Sequence, residues 1–188
     1  MIKTREDLRF YLREDGKRNG FGKGYFHYLL YLLGGTEEAK VYRYLRALRH
    51  CEYHCNNRGW WHKMLYFFYK VKMYRLGGKY FIRIHLNATG YGLRIMHLSG
   101  GGGVRIGASK VGNYCGFNAG VLIGMKSGGG RPVLGDHVAF GPGAKAFGKI
   151  TIGNNVFVAP NAVVTKDVPD NCIVGGVPAK ILKYREKS

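Results

Sequence analysis

The groups able to do chemistry near neutral pH are few. His50, Cys51, His54 and Cys55 stand at i and i+4 spacings, which on one helix would turn metal-ligand side chains to one side. The spacing is not C-x2-C and no second cysteine pair follows, so packing within a helix is favoured and no metal is expected. Further on, His97 and His137, with His85 just ahead of them, offer imidazoles whose ordinary pKa of about 6.5 suits proton transfer. No Asp or Glu lies between Glu52 and Asp136, so no carboxylate close in sequence is available to orient His97. A backbone carbonyl, Asn87, or an acid from the helical part or from a neighbouring subunit would have to do so. The glycine run Gly100 to Gly103 lacks a following GK[ST] and a strand-to-helix setting, which argues against a phosphate-binding P-loop.

These groups sit in a chain of 188 residues, enough for one sizeable core. Lys and Arg number 30 against 11 Asp and Glu, giving a formal charge of +19, so an acidic partner is expected: a phosphate-bearing cofactor, an anionic lipid surface or nucleic acid. The first 84 residues alone carry +11, and a non-enzymatic polyanion-binding protein is the remote alternative. No RNA- or DNA-binding motif is present, which sets nucleic acid aside. No apolar run approaches the roughly 20 residues of a spanning helix. The opening residues lack the apolar core of a secretory signal, and four cysteines do not make a disulfide scaffold, so a cytoplasmic setting is the default.

Composition divides the chain near residue 85. Residues 1–84 hold 19 of the 26 aromatics and 9 of the 30 glycines, and read as an α-helical segment. Thr4 with Asp7 resembles a capping box ahead of Leu8, Tyr11 and Leu12, and Gly16 is expected to end that helix. Thr36 caps a second helix with Val41, Leu45 and Leu48 on one face. In a third, over 61–75, Trp61, Leu65 and Phe68 form a stripe flanked by Lys63, Lys70 and Lys72. The stripe is expected to pack on the rest of the protein; the other reading is a face resting on a membrane.

Residues 85–188 carry a repeat. Leu134, Phe140, Ala146, Ile152, Val158 and Val164 recur every six residues, and Val138, Ala144, Ile150, Val156, Ala162 and Val168 form a second series. Neither helix nor hairpin has that period; short strands and corners stacked into a parallel β-helix do. Upstream, Val111, Phe117 and Ile123 continue it until eleven residues replace six before Leu134, so Lys126 to Pro132 (KSGGGRP) is expected to leave as a loop. About four coils follow from this count.

The hexapeptide series, GYGLRIMH (Gly90 to His97), the loop ending GGGRP and the terminal GGVPAKIL (Gly175 to Leu182) resemble the left-handed β-helix acyltransferases. Among these the chain is most similar to serine acetyltransferases and the O-acetyltransferases of capsular polysaccharide clusters, the latter also through RYLRALRHCEYHCNN (Arg43 to Asn57). The left hand follows from the resemblance alone. The resemblance implies acetyl transfer from acetyl-CoA to a hydroxyl, in a homotrimer with active sites between neighbouring β-helices. His97 matches the catalytic histidine. Pro142 and Pro160 match the coil-turn places of the cofactor site, Thr165 and Lys166 its TKD place, and Lys180 the basic place in GGVPAK, with Lys183 one turn later. The serine-specific pattern has an Asp before the histidine, where this chain has Met96, and an Arg-His-Pro after the loop glycines, where it has only Arg131 and Pro132. These departures favour a sugar hydroxyl in surface polysaccharide synthesis as acceptor, with L-serine the alternative. Zinc is not implied: the spacing of His85, His97 and His137 does not resemble that of the γ-class carbonic anhydrases, which share the repeat. A peripheral place at the inner face of the membrane stays open through the third helix.

Overall fold

In the computed structural model, which describes residues 1–21, 25–98 and 101–185, helix α1 (Arg5–Arg18) begins at a full capping box. Thr4 Oγ1 accepts from the Asp7 amide and Asp7 Oδ2 accepts from the Thr4 amide. Gly16 does not end the helix, which runs on to its cap at Asn19. The glycine is there for proximity: a Cβ on it would come within 3.0 Å of the Tyr42 hydroxyl, so its missing side chain lets the Tyr42 ring lie against α1. Helix α2 (Tyr25–Leu33), which the sequence reading did not single out, packs through Tyr28 on Phe21, Ala39 and Tyr42. Helix α3 (Glu37–Asn56) starts at Thr36, whose hydroxyl accepts from the Ala39 amide, and buries Val41, Leu45 and Leu48 as expected.

Helix α4 (Trp60–Tyr80) is longer than expected and turns the predicted stripe outward. Trp61, Leu65 and Phe68 keep 59%, 39% and 57% of their surface, whereas Met73 and Leu76, near the other end, are buried. Large apolar side chains line α4 on all sides, so periodicity does not single out the inward face; the contact of its last turns with the β-helix does. Among the described residues no helix is long and apolar enough to cross a membrane.

Beyond α4 the chain winds into a parallel β-helix. The first coil holds β1 (Ile82–Ile84) and β2 (Arg94–Met96); the second β3 (Val104–Ile106), β4 (Lys110–Val111) and β5 (Gly116–Asn118). The third holds β6 (Leu122–Gly124), β7 (Val133–Leu134) and β8 (Ala139–Phe140); the fourth β9 (Lys145–Phe147), β10 (Thr151–Ile152) and β11 (Phe157–Val158). A last partial coil has β12 (Val163–Val164) and β13 (Cys172–Gly176), and β14 (Ala179–Tyr184) folds back antiparallel on β13. The strands stack into three faces: β1-β3-β6-β9-β12, β4-β7-β10, and β2-β5-β8-β11-β13-β14. Both six-residue series point inward and are buried. Val168 departs from its series. It bridges Ile152 and so takes a strand place rather than a corner place. The predicted loop is present, with no strand between Gly124 and Val133. The coils also begin earlier than the visible period, because residues 97–103 interrupt it between β2 and β3.

The helices are fastened to the first coil by buried charge. Arg49 on α3 has no exposed surface; its guanidinium bonds Asp15 of α1 at 2.8 Å, Glu52 at 3.0 Å, and the carbonyl oxygens of Thr89 and Gly90. Asp15 Oδ1 accepts from the Leu93 amide, Asn19 Nδ2 donates to the Leu93 carbonyl, and Glu52 Oε1 accepts from the Asn87 amide. The Tyr44 hydroxyl accepts from the amide of Ile84. Residues 84–93 are thus held by side chains of α1 and α3.

Two adjacent glycines of α4 separate close approach from helix propensity. A Cβ on Gly77 would meet the Ile82 carbonyl at 2.6 Å, while one on Gly78 meets nothing within 4 Å. Gly78→Ala is expected to stabilise the fold by about 0.5–1 kcal/mol through helix propensity, and Gly77→Ala to destabilise it. Urea unfolding of the two variants checks the opposite signs.

Candidate active site

His97 follows β2 directly, in the left-handed region at φ 61° with its side chain exposed. Left-handed corners recur in this β-helix, but in columns. Tyr114, His137, Asn155 and Asn171 are all left-handed at successive coils of one corner, joined by hydrogen bonds such as His137 N to Asn113 O and Asn155 N to Asp136 O. Gly120, Gly143 and Asn161 form a second column. His137 therefore takes a repeated structural place, stacked on the Tyr114 ring, whereas His97 stands in neither column, at the start of an insertion. The backbone beside it is held from the helical part: Glu37, in the first turn of α3, accepts from the Leu98 amide at 2.8 Å. Asn87 is not near this arrangement in the bonding scheme; its amide side chain pairs reciprocally with Asn56.

The sequence-predicted cofactor residues fall into groups. Pro142 and Pro160 follow β8 and β11, so they share with His97 the corner between the faces begun by β2 and by β1. At a strand spacing of about 4.8 Å they stand roughly 10 and 14 Å above it along the axis. The carbonyl of Pro142 accepts from the Asn161 amide, one coil on. Thr165 and Lys166 are exposed at another corner, after β12, and are not brought to this edge. Lys180 and Lys183 are exposed on strand β14, not one helical turn apart. Lys180 pairs with Gly175 and Lys183 with Ile173 across an irregularity in register. That shift returns Lys183 to the side of the sheet that Lys180 occupies, which three residues of regular strand would not do. From β14 to β2 is five strand spacings, roughly 24 Å. A ligand touching both the lysines and His97 must be extended.

His85 is engaged differently. Arg131, at the end of the loop 125–132, places Nη1 at 3.0 Å from His85 Nε2 and 2.9 Å from the Gly107 carbonyl. A guanidinium only donates, so Nε2 accepts and the imidazole is neutral with its proton on Nδ1. Partial burial, then the charges of Arg131, Arg105 and Arg83, hold its pKa below the usual histidine value. In α3, His50 and His54 stack on the Tyr69 ring, and His54 Nδ1 lies 2.9 Å from His62 Nδ1. Burial, with Arg46, His54 and Lys72 adding to it, pushes His50 down to about 4. Among the described residues no group of three or more His, Cys, Asp or Glu is placed to hold a metal ion. Gly100 of the glycine run lies outside the described residues.

Several known proteins similar to this chain are serine acetyltransferases. The serine acetyltransferase of Synechococcus elongatus is 41% identical over 109 residues, 55% of this chain and 43% of that protein. That of Bacillus subtilis is 33% identical over 140 residues, 68% of this chain and 64% of that protein. The crystal structure of serine acetyltransferase from Brucella abortus superposes with a TM-score of 0.71 at 23% identity, covering 96% of this chain and 70% of that one. The chain is serine acetyltransferase-like. It spans only 43% to 64% of the length of these two sequence relatives. No protein-family model matches it. Within a serine acetyltransferase-like frame, Arg131 and Pro132 are what remains of the expected Arg-His-Pro motif, and the bond of Arg131 to His85 is a contact that spacing alone did not suggest.

The Arg131–His85 contact has a measurable consequence. Arg131→Ala removes both the donor at Nε2 and the nearest positive charge, so the His85 midpoint is expected to rise. Imidazole titration by NMR reads this directly; an unchanged midpoint would mean that Arg131 does not contribute to it.

Proposed function

We propose that the chain is an acetyl-CoA-dependent O-acetyltransferase in which the helices through α4 form a preface to a catalytic β-helix that begins with β1 (Ile82–Ile84), three residues ahead of the boundary expected at 84/85. The observation that carries the reading is the shared prism edge. His97 lies at its foot, Pro142 and Pro160 lie above it, and Lys180 and Lys183 stand on the last strand of the adjoining face. Acetyl-CoA is an extended molecule with phosphates at one end and a thioester at the other, and lysines suit the phosphates. His97 is the proposed general base: as the acceptor oxygen attacks the thioester carbonyl, Nε2 or Nδ1 takes the hydroxyl proton and the CoA thiolate leaves. A homotrimer with clefts between copies belongs to the same reading.

L-Serine is the proposed acceptor. The relatives named above are serine acetyltransferases, a Neisseria gonorrhoeae serine acetyltransferase 28% identical to this chain is solved in complex with serine, and the Brucella abortus structure is also known in complex with coenzyme A. The sugar hydroxyl reading rests on Met96, the missing loop histidine and the likeness carried by Arg43 to Asn57.

Thiol release from acetyl-CoA, followed with serine and with a panel of sugars in parallel, tests both statements. Turnover is expected with serine and should fall about 10²- to 10⁴-fold in kcat in His97→Ala. Turnover with sugars only would reverse the acceptor, and a His97→Ala variant retaining a third of kcat would remove His97 as the base.

A further inference from the structure

The face of the prism begun by β1 carries a second concentration of unpaired positive charge, away from the lysines of β14. Arg83 and Arg105 are register partners on β1 and β3, one directly above the other. In both strands the flanking residues point inward and are buried, so both arginines project outward and are exposed. Like charges directly opposed on neighbouring strands repel, and nothing in the fold requires the pair. A groove of about 900 Å³ is lined by these arginines and His85 from the β-helix and by Tyr66 and Lys70 from α4. The Lys70 ammonium lies 5.1 Å from the centre of the Tyr66 ring. No carboxylate lines the groove. Arg83, Arg105 and Lys70 are in none of the ion pairs seen among the described residues, and none of the three has an acidic partner there. The residues 97–103 that begin at His97 end in the groove wall at Gly103.

We propose that this groove is an anion site that binds a phosphate group through Arg83 and Arg105, with Lys70 facing them across it. Two guanidiniums carried at paired positions of neighbouring strands can offer several N–H donors to one anion and relieve their mutual repulsion by sharing it. A phosphate dianion supplies the charge and the acceptor oxygens that two arginines and a lysine call for, where a single carboxylate supplies two oxygens and one charge. The phosphate can belong to a phosphorylated acceptor or to the cofactor.

Calorimetric titration of the full chain with pyrophosphate tests the site without reference to turnover, so its failure is separable from failure of the acetyl-transfer reading. Arg83→Ala with Arg105→Ala is expected to weaken pyrophosphate binding at least tenfold. The control Arg43→Ala with Arg58→Ala removes the same charge from exposed positions elsewhere and should change it less than twofold. Arg83→Lys with Arg105→Lys keeps the charge and should retain part of the affinity. Parallel titrations with CoA and dephospho-CoA separate the sources: a difference between them that vanishes in the Arg83/Arg105 variant assigns the site to the cofactor's 3′-phosphate, and one that persists assigns it to another phosphorylated ligand. Equal weakening in the control pair, or no pyrophosphate binding by the unsubstituted chain, overturns the proposal.

Discussion

A guanidinium with no exposed surface needs acceptors at each nitrogen, and the three nitrogens of Arg49 find them only when segments distant in sequence converge on it. Asp15 comes from α1, Glu52 from its own helix, and the carbonyls of Thr89 and Gly90 from the first coil. Such a cluster is poor evidence of net stability, since taking its charges out of water offsets much of their attraction. Its value is geometric: removing one partner strands the others, at about 3–5 kcal/mol, so alternative placements of the helices on the coil are disfavoured. The same carboxylate that receives Arg49 Nε also holds the Leu93 amide, four residues before His97. With Glu37 on the Leu98 amide, the helical part grips the chain on both sides of the candidate base.

The β-helix contributes a different constraint. Its corners repeat coil after coil, and each left-handed residue in a column donates its N–H to a carbonyl of the preceding coil. Residues in such a column are committed to the fold. Groups left for chemistry lie where the repeat is interrupted, at residues 97–103 and 125–132, and these insertions carry His97 and Arg131. Regular stacking supplies a straight edge and a fixed separation; the interruptions supply the side chains.

What could be read from the sequence follows the same division. The two six-residue series were legible because every inward position of a narrow prism must be apolar and small enough to stack. The first coil was not, because residues 97–103 break the phase before the period has been established. Thr4 and Thr36 announced helix starts through local hydrogen bonds, while Gly16 misled because a glycine that admits a neighbouring ring looks, in sequence, like one that ends a helix. The stripe on α4 misled for a similar reason: a helix apolar on several sides does not declare its inward face. The resemblance singles out His97, but nothing in the sequence points to Glu37, whose carboxylate accepts from the Leu98 amide, since it is distant in sequence and reads as an ordinary first-turn carboxylate. Arg49, in a helix rich in arginine, carried no signal of burial.

The central claim is that the Arg49 cluster sets the first coil and the turn bearing His97, whereas the later coils hold themselves. Amide hydrogen exchange on Arg49→Met, compared with the unsubstituted chain, tests it most directly. Protection should fall at Asn87, Leu93 and Leu98 while the amides of β8, β11 and β13 keep theirs. Unchanged protection at Leu93 and Leu98, or an equal loss in every coil, would contradict it.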